Sequence, residues 1–245
     1  MAGFIVALLL LVVTKPSPEA IISSLMTGEI QFAIYLSLVT SLLSTLLCIV
    51  TAVPAAYALA RYEFFGKTTV NMILDMPLAL PPLVAGVGLL LLFGTTEFGK
   101  TLADIGLVFV FTPLGIIVAQ YFVNLPFMIR IMRSTFHSIS PRYEYVAKTL
   151  GCSDFQAVWR VTLPMAGDGL LAGSVITWAK GIGEFGAALM VAGATRMVTE
   201  TLPISLFLNM SCGKLELAIS AATILIVISV VSLYIFEKFG GAARF

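Results

Sequence analysis

One eight-residue stretch matches a pattern that proteins use to bind nucleotide phosphates. Residues 94–101 read Gly-Thr-Thr-Glu-Phe-Gly-Lys-Thr, which satisfies G-x-x-x-x-G-K-[ST] letter for letter. The chemistry of that loop requires a strand that leads into it and a helix whose N-terminus faces the phosphates. Here the preceding residues, 89–93, end an apolar run typical of a membrane helix. We therefore interpret the match as coincidence and expect no ATP hydrolysis by this chain alone.

A lysine and a glutamate lie four positions apart in another apolar stretch. Lys180 and Glu184 would share one face of a helix, and a lone charge at the bilayer centre costs roughly 2.5–3.5 kcal/mol. Two interpretations stay open. Either the two side chains form a neutral ion pair that locks the helix, or Lys180 helps an anion through a pore. Phe185, the next residue, is a further candidate for a pathway or gate.

A third stretch, residues 75–86, carries one acid and three prolines. Each proline removes a backbone donor and tends to kink a helix. Irregular backbone at membrane depth is tolerated only where protein or a watery cavity covers it. The stretch is therefore either a packing kink or part of a pathway, and its candidate pathway residues are Asp75, Pro81 and Pro82.

Composition places these stretches in a membrane. The chain has 245 residues, of which 59% are hydrophobic and 11% charged, and its mean hydropathy is +1.04. A soluble domain carries about 25% charged residues, so this chain cannot cover a water-exposed surface with charge. Its net charge of +1 gives no field that attracts a polyanion. Soluble, disordered and nucleic-acid-binding classes are excluded, and a multi-pass protein of the lipid bilayer remains.

Five long stretches are predicted to cross the bilayer as helices, because a crossing needs roughly 20 apolar residues. They are residues 31–60, 68–96, 105–129, 169–195 and 217–236. Residues 2–13 are also apolar but short. We favour a short first membrane helix there over a signal peptide, because no basic region precedes it and no cleavage site follows it. The prediction is a single all-α domain over 1–245 with about six membrane helices.

Basic residues set the direction of the helices, because cytoplasmic loops carry an excess of lysine and arginine. The segment 130–168 alone contains five of them: Arg130, Arg133, Arg142, Lys148 and Arg160. With this segment in the cytoplasm, four basic residues lie outside and nine inside, among them Arg61, Lys67, Lys238 and Arg244.

The residues that could support enzymatic or metal chemistry are few and scattered. His137 is the sole histidine, and it belongs to no cluster of histidine, cysteine and carboxylate residues. Cys48, Cys152 and Cys212 fall in three different compartments of the predicted topology, so no disulfide is implied. We expect no catalytic residue, metal or cofactor.

The cytoplasmic segment is predicted to begin with a short helix. Ser140 and Pro141 suit a helix start, with serine as the N-cap and proline at the first helical position. The helix is predicted over 143–150, and Gly151 can close it in a left-handed conformation.

A second helix is predicted to follow directly, which makes the segment a helix–turn–helix elbow. Ser153 and Gln156 are placed to form a capping box, and the helix is predicted over 155–161. Pro164 ends it and leads back to the membrane. On physical grounds alone the elbow is either a docking knob or a connector.

The elbow resembles the EAA loop of ABC importer permeases, whose pattern reads E-A-A-x3-G-x9-I-x-L-P. Here residues 144–151 read Glu-Tyr-Val-Ala-Lys-Thr-Leu-Gly, and 161–164 read Val-Thr-Leu-Pro after nine intervening residues. The residues in register are Ala147, Gly151, Leu163 and Pro164. Val161 replaces isoleucine, and Glu144 lies one residue early, with Tyr145 in the usual glutamate position.

This resemblance implies a type I ABC importer permease fold, with the elbow between the fourth and fifth helices. It implies a homodimer in the inner membrane of a prokaryote, two ATP-binding-cassette ATPase subunits on the cytoplasmic side and an external binding protein. Each elbow would rest in a groove of one ATPase subunit, whose closure would rock the membrane helices between inward- and outward-open states. The expected coupling residues are Glu144, Ala147, Leu150, Gly151, Ser153, Phe155 and Pro164.

The substrate expectation also comes from resemblance. Residues 75–86 and 178–187 resemble the permeases of molybdate and tungstate importers, and the likeness with the elbow covers about residues 30–236. The G-E-F-G-A run at 183–187 is closest to that branch, because the related sulfate permeases tend to have tyrosine and serine around the same glutamate. A tetrahedral oxyanion, first molybdate or tungstate, is therefore expected, with selectivity left to the binding protein.

Three alternatives remain at this point. The first is a permease for sulfate, thiosulfate or another small solute in the same superfamily. The second is an ion-coupled secondary transporter, which would need a coupling-ion site and usually internal repeats, and the sequence has no visible repeat. The third, a membrane enzyme, lacks a residue cluster that could perform the chemistry.

Overall fold

The computed structural model describes residues 2–239, apart from the side chains of some residues in the first two helices and the last one. Arg244 and the side chain of Lys238, both predicted to be cytoplasmic, lie outside this description. The helices, in chain order, are α1 (Ala2–Thr14), α2 (Pro18–Leu25), α3 (Gly28–Arg61), α4 (Lys67–Ala79), α5 (Pro82–Thr95), α6 (Glu97–Asp104), α7 (Pro113–Ser138), α8 (Arg142–Thr149), α9 (Asp154–Ala157), a π turn (Val158–Thr162), α10 (Leu163–Met165), α11 (Gly167–Ile182), α12 (Gly186–Ala192), α13 (Leu202–Ser211) and α14 (Leu215–Phe239).

Within the described residues, three helices are long and apolar enough to cross a membrane: α3, α7 and α14. Two helix pairs reach the required length only together, namely α4 with α5, bent by 110°, and α11 with α12, bent by 58°. The five predicted spans thus correspond to three long helices and two bent pairs. Helix α1 has 13 residues, fewer than the roughly 20 that a crossing needs.

The prediction of one continuous helix over 68–96 is wrong, because the structure has two helices there with a sharp bend between them. Helix α4 ends at Ala79, and Leu80 is extended (φ −81°, ψ 135°), because the residue before a proline is sterically disfavoured from helical geometry. Pro81 is extended as well, and Pro82 begins α5, where a proline needs no N–H partner. Two adjacent prolines therefore produce a sharp corner, where a single proline such as Pro77 stays inside its helix.

The predicted span over 105–129 is displaced along the chain. Helix α7 begins only at Pro113 and continues to Ser138. Consequently Arg130 and Arg133 belong to this helix and not to the loop that follows it. Residues 105–112 carry no charge, but Gly106 (φ +90°) and Phe111 (φ +58°) adopt left-handed conformations, which a right-handed helix excludes.

Helices α3 and α7 pack along each other and form the centre of the fold, which we call the spine. Alanines on α3 allow close approach, as small residues do between membrane helices. Toward the elbow end, one apolar cluster joins the two helices through Cys48, Ala52, Ala56, Met128, Met132 and Phe136. Toward the opposite end, a second cluster adds α12 through Leu36, Ile116, Ala119, Ala187, Ala188 and Val191.

The bent pairs meet each other where α5 crosses α12. A Cβ atom on Gly86 would lie 2.8 Å from Cα of Ala187 and 2.8 Å from Cβ of Met190. A Cβ atom on Gly186 would lie 3.2 Å from Cβ of Pro82. The two glycines therefore allow the helices to cross almost at backbone contact.

Replacement of Gly86 tests this crossing. We expect Gly86→Ala to lower the stability of the detergent-solubilised protein by about 1–3 kcal/mol, the usual cost of overpacking, because the new methyl group meets the backbone of Ala187. Gly88→Ala is the matched control, because nothing lies within 4 Å of a Cβ atom there. Equal melting temperatures of the two variants would contradict the close crossing.

Candidate functional site

The first half of the elbow is helix α8, which ends at a left-handed glycine. The helix begins at Arg142, with Pro141 in the cap position. The expected serine cap is therefore wrong by one residue, although the Ser140 hydroxyl accepts a long hydrogen bond (3.4 Å) from the Arg142 N–H. Gly151 has φ +93°, which confirms the predicted turn, since residues with a Cβ rarely adopt that conformation.

The second half of the elbow begins with the predicted capping box. The Gln156 N–H donates to the Ser153 hydroxyl (3.3 Å), and the Ser153 N–H donates to the Gln156 side chain (3.0 Å). The helix does not end before the proline, contrary to the prediction. It continues through the π turn into α10, where Pro164 occupies the first turn and needs no N–H partner.

The elbow exposes large apolar side chains. Leu150, Phe155 and Trp159 are 80%, 74% and 61% exposed, and the two aromatic rings stack with centroids 6.1 Å apart. Tyr145 and Val146 are exposed as well. We call these five residues the elbow patch. Several large apolar side chains exposed on one short segment are typical of an interaction site. Sequence reasoning found Leu150 and Phe155 but missed Trp159, although tryptophan in the most polar segment was a usable signal.

The predicted coupling residues divide into two groups in the structure. Leu150, Gly151, Ser153, Phe155 and Pro164 are exposed. Glu144 and Ala147 are buried, at 6% and 8% exposure. The expectation that all seven residues face a partner therefore does not fit the geometry of this chain.

The buried carboxylate of Glu144 is bonded within the chain. It accepts hydrogen bonds from Nε of Arg61 (2.9 Å), from the Tyr57 hydroxyl (2.8 Å) and from the Thr162 hydroxyl (2.8 Å). An ion pair between Lys148 and Asp154 (2.6 Å) lies on the surface across the glycine turn. The hydrogen bond to Asp154 raises the pKa of Lys148 above its ordinary value.

A layer of polar side chains lies inside the membrane helices, which sequence reasoning missed. Its buried members are Ser37, Thr40, Ser41, Ser44 and Thr45 on α3, Gln120 and Asn124 on α7, and Thr177 on α11. The Gln120 amide donates to the carbonyl oxygen of Gly181 (2.8 Å) and to the Thr40 hydroxyl (3.3 Å). Gln120 therefore joins all three helices. Serine or threonine at every third or fourth position of 37–45 was the available signal.

An ion pair between Lys180 and Glu184, one of the two interpretations of their spacing, is not present among the described residues. Helix α11 ends at Ile182, so the four-residue helical spacing no longer brings the two side chains together. Glu184 instead accepts a hydrogen bond from the Ala187 N–H (2.9 Å) at the start of α12. Nζ of Lys180 lies 4.0 Å from the centre of the Phe127 ring, and the lysine is exposed on the isolated chain.

The other pathway candidates fall in two places. Pro82 packs against Gly186 and therefore lies beside Glu184 and Phe185, at the crossing of the bent pairs. Asp75 lies elsewhere, on α4, with Oδ2 3.2 Å from Nη2 of Arg130. Pro81 is exposed at the corner between α4 and α5.

Arg130 and its neighbour Arg133 attach α4 to the spine. Arg133 donates a hydrogen bond of 2.8 Å to the Asn71 side chain, one turn before Asp75. These two contacts give each arginine a polar partner on α4.

The opposite end of the bundle is closed by Arg196. Its guanidinium pairs with Glu29 at the start of α3 (2.6 Å) and donates to the Asn209 side chain on α13 (3.2 Å). This arginine therefore joins the loop after α12 to two helices. The sequence had indicated only that Arg196 lies outside the membrane.

The phosphate-loop pattern has the wrong structural context, which confirms its rejection. Helix α5 leads into it in place of a strand. The Thr96 hydroxyl caps α6 by accepting from the Gly99 N–H (3.2 Å), and Gly99 packs against the Phe93 carbonyl group. Over residues 2–239, no group of three or more histidine, cysteine or acidic residues could hold a metal ion.

A multi-pass helical membrane protein with an apolar elbow at one end is the class that these features define. Residues 49–240 match the family described as binding-protein-dependent transport system inner membrane component. The chain belongs to this family and is a permease subunit of an ABC importer.

Relatives named for two different substrates match at nearly equal identity. The molybdenum transport system permease protein ModB of Mycobacterium tuberculosis is 35% identical over 204 residues, 83% of this chain and 77% of that protein. The sulfate transport system permease protein CysW of Synechocystis is 36% identical over 220 residues, 89% of this chain and 80% of that protein.

Solved structures support the fold. A bacterial ABC transporter involved in alginate import matches with a TM-score of 0.72 at 17% identity, over 97% of this chain and 90% of that one. The methionine transporter MetNI, in an inward-facing conformation, matches with a TM-score of 0.66 at 16% identity, over 90% of this chain and 100% of that one. At these identities the likeness concerns architecture alone.

Because Glu184 accepts a hydrogen bond from the Ala187 N–H, substitutions of Glu184 and of Lys180 should differ in their effect on stability. Glu184→Leu removes the acceptor for the Ala187 N–H and should cost about 0.5–2 kcal/mol, as the loss of a helix cap does. Lys180→Met should leave the melting temperature of the detergent-solubilised protein unchanged. Glu184→Gln keeps an oxygen acceptor and serves as the control. A double variant that is less destabilised than the sum of the two single variants would show that the two side chains interact as an ion pair.

Proposed function

We propose that this chain forms the membrane pathway of an ATP-driven importer for a tetrahedral oxyanion, molybdate or tungstate. The observation that carries the proposal is the elbow patch, an exposed apolar surface on a rigid turn at one end of a permease bundle. The G-E-F-G-A run at 183–187 and the relative named for molybdenum transport favour these two anions. The relative named for sulfate transport makes sulfate the second candidate.

The elbow patch suits a partner protein in the cytoplasm. Phe155 and Trp159 stack on each other, and exposed aromatic residues are typical anchors of protein interfaces. The surface pair Lys148–Asp154 provides a polar rim. We assign this partner as one ATP-binding-cassette ATPase subunit, which carries out the ATP hydrolysis.

A second copy of the chain completes the pathway in this proposal. No residue of α4 is buried, so its apolar surface needs a cover of lipid or protein. Lys180 is exposed at membrane depth, where lipid contact would cost a charge roughly 2.5–3.5 kcal/mol. A watery pathway between two copies removes that cost and places a cation where an anion passes. Two copies also present two elbows to two ATPase subunits.

An external binding protein delivers the anion at the end of the bundle opposite the elbow. The bonds of Arg196 fix the loop after α12 to α3 and α13, which gives a partner a firm surface. One matching alginate transporter was solved in complex with a substrate-loaded periplasmic protein, which supports the same arrangement here.

The anion can be identified by stimulation of ATP hydrolysis. The chain is reconstituted in proteoliposomes with its ATPase subunit and with binding protein loaded with molybdate, tungstate or sulfate in turn. We expect several-fold faster hydrolysis with molybdate or tungstate than with empty binding protein, and ATP-dependent uptake of the same anion. Equal or stronger stimulation by sulfate would favour the second candidate. Uptake driven by an ion gradient through this chain alone would overturn the proposal.

The role of the elbow patch predicts weaker binding of the ATPase subunit after truncation of its aromatic residues. Interface anchors typically contribute 2 kcal/mol or more, so Phe155→Ala or Trp159→Ala should weaken the affinity by about 30-fold. Affinity is measured between purified permease in nanodiscs and the ATPase subunit. Phe98→Ala removes a similarly exposed ring outside the elbow and serves as the control. Unchanged affinity in both elbow variants would exclude the patch as the docking surface.

A further inference from the structure

One buried carboxylate joins three separate parts of the chain. Glu144 lies on elbow helix α8, its partners Tyr57 and Arg61 lie in the last turns of α3, and Thr162 lies in the π turn. Three donors reach the two oxygens of this carboxylate at 2.8–2.9 Å. Hydrogen bonds to an ionised group are among the strongest in proteins. We call these four residues the elbow clamp.

The elbow clamp is shielded from water. The side chains of Arg61 and Glu144 are each 8% exposed. A buried ion pair gains little overall, but removal of one partner is strongly unfavourable because the other charge is left unpaired. Nη2 of Arg61 is buried without a hydrogen-bond partner. The positive charge of the Arg61 guanidinium is therefore balanced by the carboxylate of Glu144.

Aromatic packing holds the clamp on the spine. The Tyr57 ring contacts the Phe136 ring edge-on, with centroids 5.6 Å apart and an interplanar angle of 90°. Phe136 is fully buried near the end of α7. The hydroxyl of Tyr57 is thereby fixed relative to both α3 and α7, so that the carboxylate it bonds is tied to the whole spine.

Little else connects the first elbow helix to α3. Among the described residues, every side-chain hydrogen bond between the elbow and α3 ends on Glu144. The pair Lys148–Asp154 lies within the elbow and connects its two halves to each other. The buried apolar residues of the two elbow helices, Ala147 and Ala157, are small. Apart from the apolar packing of the flanking residues Ile139 and Ala166, a force on the elbow therefore reaches α3 through the carboxylate of Glu144.

We infer that Glu144 is a positioning residue that clamps the elbow to the spine, and that it does not contact the ATPase subunit. The inference rests on the proposed function, in which an ATPase subunit moves the elbow. It replaces the sequence-based expectation that Glu144 belongs to the docking surface. With the clamp closed, elbow and spine move as one body, and with it broken the elbow can turn about its connection to α7 without moving α3 by the same amount.

The clamp itself is tested on the chain in detergent, without any partner. Hydrogen exchange is measured over 142–165 for wild type, Thr162→Val and Tyr57→Phe, which each remove one donor and leave both charges in place, and for Glu144→Gln. We expect exchange at least about tenfold faster in all three variants, the effect of one lost hydrogen bond to a charged group. Lys148→Gln, which breaks the surface pair, is the control. Wild-type exchange in all three clamp variants would overturn the inference.

The assembled transporter then separates clamping from docking. For the same variants we measure the affinity of the ATPase subunit and the amount of anion imported per ATP hydrolysed. If the clamp couples the elbow to the spine, each variant imports several-fold less anion per ATP hydrolysed, while its affinity for the ATPase subunit is unchanged. Thr162→Val and Tyr57→Phe should lower the import per ATP by the same factor. Weaker affinity in Glu144→Gln alone would show that Glu144 contacts the ATPase subunit and would overturn the inference. If the wild-type assembly imports no anion with ATP, the proposed function is wrong. The hydrogen-exchange result would still show whether Glu144 holds the elbow to the spine.

Discussion

A bilayer offers no hydrogen bonds, so the polar groups of this chain's membrane helices are stabilised by partners inside the protein. Helix α3 shows how this constraint organises the fold. Its buried hydroxyls return to carbonyl oxygens of their own helix, as Thr40 does to Leu36 (2.8 Å) and Thr45 to Ser41 (2.7 Å). Gln120 then crosses to the carbonyl of Gly181. Through its bonds to Thr40 and Gly181, Gln120 joins α3, α7 and α11, and the other helices pack around that arrangement.

The same constraint explains the two ends of the bundle. At one end, Arg196 is compensated by Glu29, and at the other, Arg61 is compensated by Glu144. Each arginine joins a helix end to a segment distant in sequence. Each end of the spine is therefore joined to another segment by an ion pair. Its middle is held by apolar packing and by the hydrogen bonds of the Gln120 side chain. In the proposed importer, such a body transmits a displacement from the elbow along its length.

Features that depend on neighbouring residues could be predicted from the sequence. The capping box at Ser153 and the left-handed turn at Gly151 follow from residue type and spacing, and both are present. The apolar stretches located five membrane-length segments. The helix boundaries within these segments could not be predicted as well, because absence of charge does not distinguish the irregular residues 105–112 from the helix that starts at Pro113.

Features that depend on distant residues could not be predicted. Arg61 and Glu144 are 83 positions apart, and no pattern within either segment points to the other. The interpretation of Lys180 and Glu184 as an ion pair is wrong for the opposite reason, because it depended on an unbroken helix and α11 ends at Ile182. The burial of the Glu144 side chain could likewise not be predicted, because an acid in a polar segment is expected to face water. In the structure Glu144 is instead buried, so it belongs to the interior and not to the docking surface.

The central claim is that elbow and spine form one moving body. It is tested most directly by pulsed electron paramagnetic resonance on the reconstituted transporter. Spin labels are placed on exposed Thr149 of the elbow and on exposed Thr51 of α3, in a variant whose three cysteines, all unpaired in the structure, are replaced. If elbow and spine move together, ATP binding leaves the distance between the two labels of one chain unchanged, while the distance between the elbows of the two copies changes. A changed distance within the chain would contradict the claim.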